Sequence, residues 1–182
     1  MDWKLISPDV LRQCQTIHED KKLKWGNDGW RRATIVRDFA DDLGAKSVLD
    51  YGCGRGTLRA ALGTGGKKIR GMGWPYPCHE YDPAIRKKSQ PRSADLVACT
   101  DVMEHVETPL VQNVLRHVRK LGRFGAFFLI STRLANQLLP DGRNAHLTVQ
   151  TAEWWEREIL HAGFRVTRKE VQSNLAMFWC LK

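Results

Sequence analysis

The sequence predicts an α/β domain built on a doubly wound, mostly parallel sheet, and three observations carry that prediction. A short apolar run, Ser47-Val48-Leu49-Asp50-Tyr51, leads into a glycine-rich loop and then into Thr57-Leu58-Arg59-Ala60-Ala61-Leu62, the strand–loop–helix opening of a doubly wound unit. Two further runs of strand length, 94–99 and 125–130, alternate with helix-length amphipathic segments. The chain then closes on two strands, 164–170 and 175–181, joined at Gln172-Ser173-Asn174, which adds an antiparallel end to the sheet.

Each element has a local cause. Ser7-Pro8 is a helix start, a hydroxyl cap before a proline whose missing N–H is no loss there, and Val10, Leu11, Cys14 and Ile17 recur at helical spacing up to Glu19. Residues 20–30 read as a polar loop ending in the turn-rich Trp25-Gly26-Asn27-Asp28-Gly29-Trp30. A second amphipathic helix covers 31–43, with Ile35, Val36, Phe39 and Leu43 on one face and Gly44 as its stop. After the 47–51 strand and the 57–62 helix, residues 78–81 form a second strand. Thr108-Pro109 caps a helix to about Leu121, and Thr151 caps another that runs to Ala162 and stops at Gly163. One domain is expected over 1–182: N-terminal helices with a lid-like loop in 1–44, and a core in 45–182.

Composition narrows the class. No apolar run approaches the length of a membrane span, and the first residues lack the basic and apolar regions of a signal peptide, so a cytoplasmic protein without membrane contact is expected. The five cysteines are scattered, without a Cys-x-x-Cys pair, and read as reduced thiols. The net charge of +9 lies wholly beyond residue 43, because residues 1–43 hold eight basic and eight acidic side chains. It concentrates in 64–92, with Lys67, Lys68, Arg70, Arg86, Lys87, Lys88 and Arg92, and in 115–143, with Arg116, Arg119, Lys120, Arg123, Arg133 and Arg143. Such stretches suit nucleic acid as a partner, and equally a merely solvated basic surface.

The chemistry begins at Asp50-Tyr51-Gly52-Cys53-Gly54-Arg55-Gly56, where glycine at every second position lets the backbone turn sharply and approach a ligand. The spacing is Asp-x-Gly-x-Gly-x-Gly, not the Gly-x-Gly-x-x-Gly of dinucleotide sites. This segment resembles the first motif of the class I S-adenosylmethionine-dependent methyltransferases, and Glu80-Tyr81-Asp82-Pro83 resembles their second. The resemblance extends through Thr100-Asp101-Val102-Met103-Glu104-His105 to the closing hairpin, covering about residues 45–182. It implies a Rossmann-like fold and S-adenosylmethionine as cofactor, held by Asp50, Tyr51, Gly52, Cys53, Gly54, Gly56, Glu80, Tyr81 and Thr100. Asp50 would sit near the cofactor's amino group, and Glu80, with Asp82 as second choice, would take the ribose diol, since a carboxylate accepts two hydrogen bonds. One departure stands out. Only twelve residues separate Asp82 from Asp95, too few for the family's third strand and its helices. That region is expected to be trimmed, and with it some of the residues that usually hold the adenine.

Asp101, Glu104 and His105 stand at i, i+3 and i+4, which places them on one face of a helical turn beyond a central strand. One reading is base catalysis, with Asp101, His105 and the later His146 as the catalytic group. A second is a divalent metal on Asp101, Glu104, His105 and His146, for which the ubiquinone-type and small-RNA 2′-O-methyltransferases are similar precedents. A third is that these residues only shape a pocket. The expected reaction is methyl transfer to oxygen or nitrogen, on nucleic acid or a nucleotide; a small-metabolite enzyme and a non-catalytic cofactor-binding protein are the alternatives. Trp154-Trp155 is expected to split between the core and the pocket mouth, and His117 to be a surface or packing residue.

Overall fold

The computed structural model describes residues 4–20, 25–63 and 72–182. Six strands form one sheet: β1 (Val48–Tyr51), β2 (Cys78–Tyr81), β3 (Ala94–Thr100), β4 (Gly122–Ser131), β5 (Arg165–Gln172) and β6 (Leu175–Leu181). Their order is β2-β1-β3-β4-β6-β5. The first four strands are parallel, and β6 runs antiparallel to both β4 and β5. This is the doubly wound sheet with an antiparallel end that the sequence predicts. Among the described residues no strand lies outside β2: residues 82–93 hold only a 3-10 turn at Arg86–Lys88, which bears out the trimmed third-strand region.

Five helices complete the described fold: α1 (Pro8–Glu19), α2 (Ala33–Asp42), α3 (Thr57–Leu62), α4 (Val111–Leu121) and α5 (Ala152–His161). The central strands are apolar on both faces because both are covered. One face, with Leu49, Val97, Phe128 and Phe178, packs against Val114, Val118, Trp155 and Ile159 of α4 and α5. The other, with Val48, Leu96, Phe127 and Trp179, packs against Val36, Phe39 and Leu58 of α2 and α3.

Some boundaries differ from expectation. The segment 31–43 divides into a 3-10 turn at Gly29–Arg32 and α2 proper. Strand β4 begins at Gly122, directly after α4, with a register shift against β3 between Ala94 and Leu96. Gly125 is needed within it, since a Cβ there would come 2.0 Å from the Cys180 carbonyl oxygen. His117 is buried, with Nδ1 2.9 Å from the Tyr51 hydroxyl. The tryptophan pair meets edge to face at 4.9 Å, and neither ring lines the cavity at the sheet's carboxyl edge; Trp154 packs against the core that encloses Trp155. No described helix is long and apolar enough to cross a membrane. Lys67, Lys68 and Arg70 of the first basic stretch lie outside the described residues.

Candidate active site

A cavity of about 810 Å³ runs along the carboxyl edge of the sheet. Its lining passes from Asp82, Pro83 and Ala84 after β2, through Asp50 to Gly54 of β1 and its loop, to Thr100 at the end of β3 and Asp101, Val102, Glu104, His105 and Val106 beyond it. It ends on Ser131 and residues 133–137 after β4 and on Ser173–Leu175 of the hairpin. The parallel strands end together at this edge, where open α/β sheets leave a crevice for ligands.

At the glycine loop, Gly52, Gly54 and Gly56 all have positive φ, at 75°, 48° and 76°. The loop is fixed on β2, because the Gly52 and Cys53 amides donate to the Tyr81 carbonyl and the Gly54 amide donates to Asp82. The Trp25–Gly29 segment lies directly on it. The Arg55 amide donates to the Gly26 carbonyl at 3.0 Å, and a Cβ on Gly54 would stand 2.7 Å from Gly26 Cα. Of the two tryptophans in that segment, Trp25 lines the cavity, its ring 4.8 Å from that of His105, whereas Trp30 is exposed.

The acidic residues divide by environment. Asp50 is buried at the cavity wall, with no ion pair or side-chain hydrogen bond among the described residues, and burial pushes its carboxyl up to about 8. Its parallel neighbour Glu80 is different. Burial alone would raise it, but Lys88 at 2.9 Å and Arg59 at 3.1 Å take one oxygen each and hold it below the usual carboxylate range. Glu80 does not line the cavity, nor do Tyr81 and Gly56; Asp82 does. Tyr81 instead meets Tyr51 at a tilt, ring centroids 4.9 Å apart, and Gly56 makes room for Glu80, whose Oε1 would lie 1.9 Å from a Cβ there. Asp82 accepts from the Gly54 and Ala84 amides, with His18 Nε2 3.7 Å away.

The Asp101/Glu104/His105 face is only partly assembled. Asp101 has φ 55°, a left-handed conformation, and its carboxylate pairs with Arg32 at 3.3 Å. Of the four expected ligands, three come together. Glu104, His105 and His146 converge, each offering a ligand atom within 4.8 Å of the others, and Asp101 stands apart. Glu104 is fully buried: one oxygen accepts from the Ser131 amide at 2.9 Å, and Oε2 has no partner among the described residues. Burial, then the nearby Asp101 charge, raise its carboxyl to about 8. His105 Nδ1 lies 2.8 Å from the Ala145 carbonyl and His146 Nδ1 2.6 Å from the Arg133 carbonyl. A carbonyl can only accept, so both rings carry their proton on Nδ1 and keep a lone pair on Nε2. Burial lowers both imidazoles, His105 to about 4, so both are neutral near pH 7. Asn144 secures this loop, bonding Ala135 through both its amide N–H and its oxygen, and accepting from the His146 amide.

Sequence reasoning missed Arg32, Lys88 and His18. The short link between Asp82 and Asp95 was the available signal for Lys88, since a chain that brief must fold back on the loop. Cys14 and His18 stand at i and i+4 on α1, which puts both on one face, but nothing local says what that face meets.

A doubly wound sheet with a glycine loop after its first strand and a buried acid beside it defines a protein that holds a nucleoside-type cofactor at the sheet's carboxyl edge. The chain belongs to the class I S-adenosylmethionine-dependent methyltransferases: the family model described as "Methyltransferase domain" matches residues 27–169. A ubiquinone biosynthesis O-methyltransferase of Proteus mirabilis is 26% identical over 118 residues, covering 56% of this chain and 47% of the relative. The chain therefore spans about half the length of the curated relatives it matches. Among solved structures, 1,6-didemethyltoxoflavin-N1-methyltransferase of Burkholderia thailandensis, with 1,6-didemethyltoxoflavin and S-adenosylhomocysteine bound, aligns with a TM-score of 0.64 and 15% identity. That alignment covers 100% of this chain and 93% of the other. Magnesium protoporphyrin IX methyltransferase of Synechocystis PCC 6803, with bound S-adenosylhomocysteine, aligns at 0.58 and 16% identity, over 96% and 94%.

Proposed function

We propose that this chain transfers the methyl group of S-adenosylmethionine to an oxygen or nitrogen of a small acceptor seated against His105 and His146. The observation that carries this reading is the continuity of one cavity from Asp50 and the glycine loop to the Glu104/His105/His146 cluster. The cofactor's ammonium lies at Asp50, whose carboxylate lacks a cation, and its methyl faces the end of β3. The acceptor's lone pair attacks the methyl carbon as the carbon–sulfur bond breaks, S-adenosylhomocysteine departs, and the acceptor's proton passes to an imidazole Nε2. His146 is the stronger base of the two, because burial depresses His105 further and the Asp101 charge supports a proton on His146. The remainder of catalysis is alignment, since the sulfonium is already activated.

The cluster also fits a divalent cation: an orphaned carboxylate oxygen and two imidazoles with Nδ1 anchored and Nε2 free are the donor set such an ion takes. Glu104, His105 and His146 would hold it, and a bound ion would lower the pKa of an acceptor hydroxyl.

A small acceptor is supported by the named substrates and pathway of the relatives above and by Trp25 on the cavity wall. Nucleic acid is the second reading, favoured by Arg133, exposed at the cavity and without an ion pair among the described residues. Transfer of tritiated methyl groups to pooled metabolites, RNA and DNA tests both. Label in RNA or DNA alone refutes the small acceptor, and label in none of the pools refutes turnover. His146→Asn should lower the rate about 100-fold; an unchanged rate removes His146 from the chemistry. Activity that survives exhaustive chelation removes the ion.

A further inference from the structure

We infer that α1 forms the wall of the cofactor's nucleoside half, with Cys14 and His18 facing the adenosine. The inference rests on the cofactor reading above. With the ammonium at Asp50 and the methyl directed toward Glu104, His105 and His146, the nucleoside must extend the other way, over the ends of β1 and β2. There the cavity is lined by Asp82, Pro83 and Ala84.

Beyond those residues the way outward is closed by the short link itself. The turn at Arg86–Lys88 folds back, the Asp82 amide donates to the Lys88 carbonyl at 2.9 Å, and Lys88 Nζ bonds both the Gly54 carbonyl and Glu80. The other side of the same end is made by the N-terminal segment. Leu5, Ile6, Cys14 and His18 line it, facing Val106 and Val114. A purine presents two apolar faces and a polar edge, and this end offers the match: thiol and aliphatic walls, with the His18–Asp82 pair as the polar corner. Burial and the charges of Asp82 and Glu107 push the Cys14 thiol up to about 11, so it is a neutral, polarizable wall.

The wall is fixed. The Ser7 amide donates to Glu107 at 2.8 Å, Asn113 donates to the Lys4 carbonyl, and the Gln13 side-chain amide donates to the Asp141 carboxylate and accepts from the Asp141 backbone amide. Arg143 ties Asp9 to the same turn, and Ile17 packs on Leu139 and Ala145.

The test is calorimetric binding of S-adenosylhomocysteine to the full chain. Cys14→Phe fills the slot and should weaken binding about tenfold or more. Because a phenylalanine there could disturb packing, His18→Ala and site-resolved thiol labelling of the unaltered chain accompany it. In extended labelling at pH 8.5, where the small thiolate fraction of Cys14 suffices for a maleimide to react with the free protein, adenosine and S-adenosylhomocysteine should each protect Cys14, as read by peptide mass mapping, and methionine should not. Unchanged affinity in both variants, or Cys14 labelling indifferent to saturating S-adenosylhomocysteine, overturns the assignment while leaving the cofactor reading intact. If the unaltered chain binds neither S-adenosylhomocysteine nor S-adenosylmethionine, the cofactor reading fails and takes this inference with it.

Discussion

With the cofactor's ammonium at Asp50, as proposed above, binding would be a proton-linked event of calculable size. Burial, then the like charge of Glu80, raise the Asp50 carboxyl from 3.8 to about 8 in the free protein, with Lys88 only partly offsetting them. A carboxyl titrating there is only about one-tenth ionised at pH 7. S-adenosylhomocysteine brings an ammonium that favours the carboxylate, so binding must first remove a proton. The apparent dissociation constant then scales as one plus ten to the power of 8 minus pH. It should fall about tenfold between pH 6 and 7 and about fivefold between pH 7 and 8, with close to one proton released per ligand at pH 7. The window ends near pH 8, where an α-amino group begins to lose its own proton. Titration calorimetry in buffers of different ionisation heat reads both quantities. Asp50→Asn should bind weakly and flatten the profile, whereas Glu104→Gln, at the other acid raised to about 8, should retain it. A flat affinity between pH 6 and 8 in the unaltered chain, or the same slope in Asp50→Asn, would refute the reasoning. The sign for stability is opposite. A carboxyl whose folded pKa is raised stabilises the fold fully below its unfolded value, and that stability is lost as pH rises from about 4 through about 8. The ligand-free melting midpoint of Asp50→Asn should therefore vary less over that range than the unaltered chain's.

Arg32→Leu leaves the Asp101 carboxylate without its cation. Both side chains are partly solvated, so the loss should be about 1–2 kcal/mol in urea denaturation, with much of it recovered when Asp101→Asn is added. Equal losses in the single and double variants would mean that the 3.3 Å pair is not what holds Asp101 in its left-handed turn. His117→Phe removes the partner of the buried Tyr51 hydroxyl and should cost about 1–3 kcal/mol of stability while changing S-adenosylhomocysteine affinity little. Unchanged stability would show that the hydroxyl finds another partner.

The fold was legible because its signals are local. Strand length, the Ser7 and Thr151 caps, and glycines that must adopt positive φ each act within a few residues, and the hydroxyl caps are observed accepting from Val10 and Trp154. Grouping at the cavity was legible where the chain itself brings residues together, as at Asp50–Gly54 and at Glu104-His105, and in one case across a long separation. His146 was expected beside His105, and the rings stand 4.9 Å apart. Three things were not legible. Asp101 shares helical spacing with Glu104, but its left-handed backbone breaks the face that spacing implies. Glu80 has the motif position of a ribose acid, yet Lys88 and Arg59 occupy its oxygens, a contact set by how the short link folds. The role of α1 depends on which surface it covers, and amphipathic spacing names the buried face without naming what buries it.

The same distinction decides what the +9 charge means. Counted along the chain, the basic stretches look like an electrostatic track, but charges act where their partners leave them. Lys88 is held by Glu80, Arg123 by Asp95, and Arg143 by Asp9 and Asp141, while Arg119 donates to the Gly163 carbonyl. The exposed pairs among these add little to stability, yet each pair cancels a charge that a polyanion would need. Arg86, Lys87, Arg92, Arg116 and Lys120 are not among the residues lining the cavity. Of the basic residues named in the two stretches, Arg133 alone among the described ones lines the cavity, and Arg32, from outside them, is committed to Asp101. One uncommitted guanidinium beside two neutral imidazoles suits a compact acceptor carrying a single anionic or carbonyl group better than it suits a phosphate backbone. Raising salt from 50 to 200 mM should therefore change acceptor KM by less than about threefold, where several phosphate contacts would change it by orders of magnitude.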